Sequence, residues 1–244
     1  MPHSNHSRSL EQQTLQYRST ALPEIWQHTR GRVLQGPFDH MQLLQDTSWG
    51  DGDLIAKLLG MYESELHPVI EQIVALGGAV INVGCAEGYY AVGLAWRGCG
   101  PVWALDTSER ALTITQSTAQ RNGVTVHCHP AVSAAEFQAL LTQTTAATVV
   151  MDVEGAEITL LDPDQVPALR HCGILVESHD CIVPGITDQL VQRFDATHHC
   201  EVIRAQGRDP WQFDWLDHHS DFTRYAMIME GRPSVARWIW MQPR

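Results

Sequence analysis

From residue 68 onward, short β-branched apolar runs alternate with amphipathic stretches closed by glycine, and few folds accommodate that alternation. Pro68 opens a helical stretch, Val69–Leu76, that Gly77-Gly78 stops. Ala79–Val83 then reads as a buried strand, and Tyr89–Trp96 as a helix ended by Gly98 and Gly100. A second strand, Val102–Leu105, leads to a helix over Ser108–Arg121, which Asn122-Gly123 ends. Val124–Cys128 is a third strand. Ser133-Ala134-Ala135-Glu136 has the form of a capping box, in which serine and glutamate satisfy backbone amides reciprocally, so a third helix starts there. Ala147–Met151 and Gly173–Glu177 are strands four and five, the latter followed by a helix to about Ala196. Val202–Ile203 and Tyr225–Met229 read as the last two strands. Strands that are apolar along their whole length belong to a mostly parallel sheet covered on both faces. The expectation is therefore a doubly wound α/β fold with a seven-stranded, mostly parallel sheet.

The rest of the chain frames this domain. Residues 1–20 are polar and read as a loosely ordered arm. Residues 21–60 regain apolar residues interrupted by Gly and Pro, as in short helices laid over a core, so they read as a helical cover, with the main domain over 61–244. The tryptophans of the tail, Trp211, Trp215, Trp238 and Trp240, are expected to pack it onto the sheet.

Charge narrows the function. There are 28 acidic residues against 16 basic, and Lys57 is the only lysine, so no basic patch for a phosphate backbone is evident and nucleic acid is not the expected partner. The longest apolar runs are strand-sized, which argues against a membrane span. Scattered cysteines without a C-x-x-C pair suit reduced thiols, and the expected compartment is the cytoplasm. His127 and His129 share a strand face but lack a second ligand pair for zinc, and His198-His199 and His218-His219 read as surface residues.

In a doubly wound sheet the ligand sits beyond the carboxyl ends of the strands, beside the first one. Asn82-Val83-Gly84-Cys85-Ala86-Glu87-Gly88 leaves the first strand there and enters a helix, with Gly84 and Gly88 allowing close backbone approach. Asp106 ends the second strand, where a carboxylate accepts two hydrogen bonds from a ribose diol. A glycine turn, a helix and a strand-end acid in that order indicate a nucleoside cofactor. A tight turn with Asp106 capping the next helix is the plainer alternative. The spacing departs from G-x-G-x-x-G, which argues against the competing reading of an NAD-dependent oxidoreductase.

The run Val80–Glu87 resembles the first cofactor motif of class I S-adenosylmethionine-dependent methyltransferases, an acid followed by alternating glycines. It departs twice, with Asn82 in place of the acid and Ala86 in place of the middle glycine. Those two departures are the one hint of a catalytically silent cofactor-binding domain. The resemblance implies a cofactor set of Asn82, Gly84, Cys85, Ala86, Glu87, Gly88 and Asp106, with Ala131 framing the adenine and Tyr62 and Glu63 approaching from the cover.

The segment Val149–Glu157, with Asp152-Val153-Glu154-Gly155-Ala156-Glu157, resembles the signature of FkbM-type methyltransferases, and Leu175–Asp180 is a weaker echo. The similarity spans roughly residues 78 to 182, and the family implies methylation of hydroxyls on sugars and natural products. Asp152 and Glu177 close neighbouring strands and so face one cleft. An alkyl hydroxyl is too weak an acid to ionise unaided. Either Asp152 and Glu177 hold an oxygen-loving ion such as Mg²⁺, or they bind substrate hydroxyls while His179 takes the proton. Glu154 and Glu157 read equally well as acids that suit a helix N-terminus. The partner implied is a small hydroxylated molecule.

Overall fold

The computed structural model describes residues 4–48, 53–144, 147–232 and 234–244. Seven strands form one sheet: β1 (Val80–Val83), β2 (Val102–Asp106), β3 (His127–Pro130), β4 (Thr148–Met151), β5 (Gly173–Ser178), β6 (His198–Arg204) and β7 (Arg237–Pro243). Their order is β3-β2-β1-β4-β5-β7-β6, with β7 antiparallel to both its neighbours and the β1, β2, β3, β4 and β5 pairings parallel. The expected doubly wound, mostly parallel sheet is thus what the chain forms. The crossover from β3 back past β1 to β4 puts the switch point beside β1.

Side-chain alternation along the strands builds two cores. Val80, Val150, Leu175, Trp238 and Trp240 face one side, where they meet α1 (Ser4–Thr29), α2 (Leu54–Leu58), α3 (His67–Leu76) and α4 (Tyr89–Trp96). Ile81, Val149, Ile174 and Ile239 face the other, against α6 (Ala134–Gln143) and α8 (Ile186–Phe194). Of the remaining helices, α5 (Glu109–Arg121) follows β2, the single turn α7 (Glu157–Leu160) follows β4, and α9 (Asp221–Ile228) precedes β7. Ser108 caps α5 through Ala111 N at 3.2 Å, and the capping box at Ser133 and Glu136 is present at the start of α6.

Four readings need correction. The stretch expected as a loose arm is helical from Ser4, and α1 runs without a break through the expected boundary at residue 20. Arg18 explains part of this, since it is buried and its Nε donates to Ala226 O of α9 at 2.7 Å, tying the polar helix to the body. Tyr225–Met229 is not a strand. Ser220 Oγ accepts from Thr223 N at 3.2 Å and starts α9 instead, with Met227 and Ile228 packed into the core beneath it and Tyr225 and Met229 left exposed. The tail carrying Trp238 and Trp240 is itself a strand, β7, placed between β5 and β6. Finally, His198 is fully buried, its imidazole contacting Cys172 O at 3.0 Å across the sheet end. No helix among the described residues is long and apolar enough to cross a membrane.

Candidate functional site

A cleft of about 640 Å³ opens beyond the carboxyl ends of β1, β2, β4 and β5, in the size range of small-molecule sites. Its first wall comes from the turn after β1. Gly84 has φ +76°, and a Cβ there would lie 1.7 Å from Asp152 O, so the turn and the end of β4 close together only because no side chain intervenes. Ala86, which stands where the methyltransferase motif has its middle glycine, adopts φ +48°, a left-handed conformation that glycine takes without strain. Its amide donates to Asp106 Oδ2 at 3.0 Å, and Ser108 N donates to Asp106 Oδ1 at 2.8 Å. Each Asp106 oxygen therefore spends one lone pair on the backbone and keeps one for a ligand at the cleft wall. The two readings of Asp106, as a loop-orienting acid and as a diol acceptor, are compatible.

Glu87 lies on the same wall but is already paired. It forms an ion pair with Lys57 of α2 and accepts from Ser48 Oγ at 3.1 Å. Burial alone would raise the Glu87 carboxyl, but Lys57 outweighs it and holds it below the usual range. The Lys57 ammonium also sits 4.5 Å from the Tyr62 ring centroid. Ala131, Val132 and Phe137 give the cleft an apolar floor beyond Asp106.

The opposite wall is built from the ends of β4 and β5. His179 is 8% exposed in its side chain, and its Nδ1 meets Glu157 Oε1 at 2.5 Å. Since a carboxylate can only accept, Nδ1 is the donor, which leaves Nε2 turned toward Asp152 Oδ1 at 3.5 Å and Glu154 Oε2 at 3.4 Å. Burial would lower the His179 pKa, but the bond to Glu157 and the nearby Asp152 raise it above the usual imidazole value. Asp152 is pushed up to about 6 by burial, with Glu154 adding to the shift and His179 opposing it.

Further along this wall, Arg232 donates to Glu63, Glu177 and Glu230, the last at 2.8 Å. Tyr90 OH donates to the other oxygen of Glu63. Arg208 shares Glu230 with Arg232, and burial with the repulsion of neighbouring acids pushes Glu63 to about 8 and Glu177 to about 10.

Of the residues expected to hold a cofactor, Gly84, Ala86, Glu87, Asp106, Ala131 and Tyr62 line the cleft. Asn82 does not. Its Nδ2 donates to Val150 O at 3.2 Å inside the sheet, a role in which a neutral amide costs less than a buried acid. Cys85 is buried with Sγ 3.6 Å from Thr115 Oγ1, and Gly88 caps α4. Glu63 lies behind the wall, reaching the site through Arg232. Asp152, Glu177 and His179 do converge, but Glu177 is held by Arg232, and the ligand atoms grouped within 4.8 Å are those of Asp152, Glu154 and His179. Sequence reasoning missed Arg232, Glu230, Asp53 and Lys57 on the wall. Arg232 carried no local signal, because the carboxylates that define it come from residues 63, 177 and 230.

No protein-family model matches the sequence, and no curated protein matches it. Among solved structures, the chain is similar to an rRNA methylase from Streptococcus thermophilus, with a TM-score of 0.50 at 9% identity over 73% of this chain and 96% of that one. An O-methyltransferase from Streptomyces achromogenes involved in tomaymycin synthesis gives 0.48 at 15% identity, covering 72% and 78%. An O-methyltransferase from Bacillus cereus gives 0.46 at 14% identity, covering 72% and 79%. At this identity the likeness is one of fold, the Rossmann-like fold that the rRNA methylase also has.

Proposed function

We propose that the chain is a class I S-adenosylmethionine-dependent methyltransferase, of FkbM type, acting on a hydroxyl of a small molecule. The observation that carries this reading is Asp106. Its carboxylate has one free lone pair per oxygen at the wall of a cleft whose other wall holds Asp152 and His179. The residues suit the cofactor. Asp106 would take the ribose diol, Ala131, Val132 and Phe137 would flank the adenine, and the acid-rich walls would favour a sulfonium cation. When bound, the cofactor supplies the methyl group.

The chain's own residues have three tasks. The Gly84–Ala86 turn brings the backbone against the ligand. The cover, residues 21–60, contributes Asp53 and Lys57 to the rim and would, with 61–244, limit the access of water once ligands fill the cleft. Asp152 and His179 orient the acceptor hydroxyl and remove its proton, with Glu157 fixing the imidazole and Arg232 holding Glu177 in the wall. The FkbM reading rests on Asp152–Glu157, which supplies both Asp152 and the histidine's partner Glu157. Six unpaired cysteines suit a reducing compartment such as the cytoplasm.

Calorimetry with S-adenosylmethionine and with NAD tests the class. Saturable binding of the first and none of the second is expected. Binding of NAD alone overturns the proposal.

A further inference from the structure

The Asp152, Glu154 and His179 group is placed oddly for side chains that only bond to one another. Glu157 accepts the Nδ1 proton, so in the neutral ring the Nε2 lone pair points at Asp152 Oδ1 and Glu154 Oε2, both acceptors, at 3.5 and 3.4 Å. Asp152 Oδ1 has no hydrogen-bond partner, and it faces the same point as Nε2. One ring nitrogen and two carboxylate oxygens, all within 4.8 Å of one another, thus enclose a space that a cation would fill.

The spacing fits a metal. Two ligands each about 2.1 Å from an ion lie roughly 3.4 Å apart when tetrahedral and roughly 3 Å apart when octahedral. Metal-bound histidines also commonly donate their second ring N–H to a carboxylate, which fixes the tautomer, and Glu157 occupies that position here. The donor set is one imidazole and two carboxylates, which suits Mn²⁺ or Zn²⁺ better than Mg²⁺, which prefers oxygen alone. Glu177 is not available as a ligand, because Arg232 engages it.

We infer that Asp152, Glu154 and His179 bind one divalent transition-metal ion at the end of β4, with Glu157 orienting the histidine. The ion would leave open positions toward the cleft, where an acceptor oxygen can be held and made more acidic. That use of the ion rests on the methyltransferase reading and takes the place of proton removal by His179, whereas binding of the ion rests on neither.

Mn²⁺ titration of the full chain, followed by the electron paramagnetic resonance signal of the free ion, tests the site without any turnover. One ion per chain is expected, with affinity lowered tenfold or more in Glu154→Gln and Asp152→Asn, and by about 10- to 100-fold in Glu157→Ala. Glu154 is 59% exposed, so Glu154→Gln keeps the readout if buried variants fail to fold. Glu24, His218 and His219 form a second such group at the surface, so Glu24→Gln serves as the control and is expected to leave binding unchanged. Absence of binding, or binding lost in Glu24→Gln but kept in Glu154→Gln and Asp152→Asn, overturns the inference. Metal binding without S-adenosylmethionine binding supports the metal site and overturns the methyltransferase reading.

Discussion

The two walls of the cleft handle charge in opposite ways. On the wall formed by β1 and β2, every acid has its partner within the protein. Asp106 accepts two backbone amides, and Glu87 is paired with Lys57. On the wall formed by β4 and β5, carboxylates outnumber cations. Asp152, Glu154, Glu157 and Glu177 surround His179, and Arg232 serves Glu63, Glu177 and Glu230 together, with Arg208 sharing only the last. Burial and like charge raise Asp152 to about 6 and Glu177 to about 10, whereas Glu87 is lowered. The first wall is complete as protein, while the second asks for an added cation. On the proposed function, the first wall is a binding platform finished in advance, and the second a reacting centre that keeps charge in reserve for what it would hold.

The largest effect that separates the walls is expected at Arg232. Arg232→Met removes the guanidinium and leaves Glu63 and Glu177 without a cation, while Glu230 keeps Arg208, which costs about 3–5 kcal/mol of stability once the two acids are ionised. Glu63 and Glu177, raised to about 8 and 10, ionise in the alkaline range, so urea denaturation at alkaline pH measures it, and a loss under about 1 kcal/mol there would mean that the arginine does not hold them. The loss should shrink toward neutral pH, where both acids carry protons.

A smaller effect is expected on the finished wall. Asp106→Ala removes the proposed diol contacts and should weaken S-adenosylmethionine binding by about 1.5–3 kcal/mol by calorimetry. Equal affinity in the variant would return Asp106 to a purely loop-orienting role. The smallest effect concerns the turn itself. A left-handed L-residue costs about 1–2 kcal/mol, and glycine loses about 0.5–1 kcal/mol of chain entropy relative to alanine, so Ala86→Gly should stabilise the fold by no more than about 1.5 kcal/mol. A destabilised Ala86→Gly would show that the alanine methyl packs against something the turn needs.

Much of the first wall was readable in advance, because its chemistry is local. The strand Val80–Val83, the glycine turn and the helix Tyr89–Trp96 are contiguous, and Asp106 closes the next strand. The second wall was readable in part. Asp152, Glu177 and His179 follow from strand ends, yet their partners do not, since Glu157 and Arg232 act through contacts across 22 and 55 residues. The misread elements have a similar cause. Tyr225–Met229 is a short apolar run that suits a strand as well as a helix, and packing against α1 decides it. Residues 238–241 form a short, continuously apolar run that suits a buried strand, but only pairing with β5 and β6 makes them part of the sheet.

That last insertion has a consequence for how the protein is made. Among the described residues strand β6 pairs with no strand but β7, and β5 keeps an open edge until β7 arrives. At about 5–20 residues per second, the ribosome needs roughly 2–7 seconds to travel from Arg204 to Arg237. During that interval the nascent chain presents an unpaired strand and a bare sheet edge to the cell, the two features most prone to intermolecular pairing. Substitutions in β7 should therefore show first in soluble yield, before any change in what the finished protein binds.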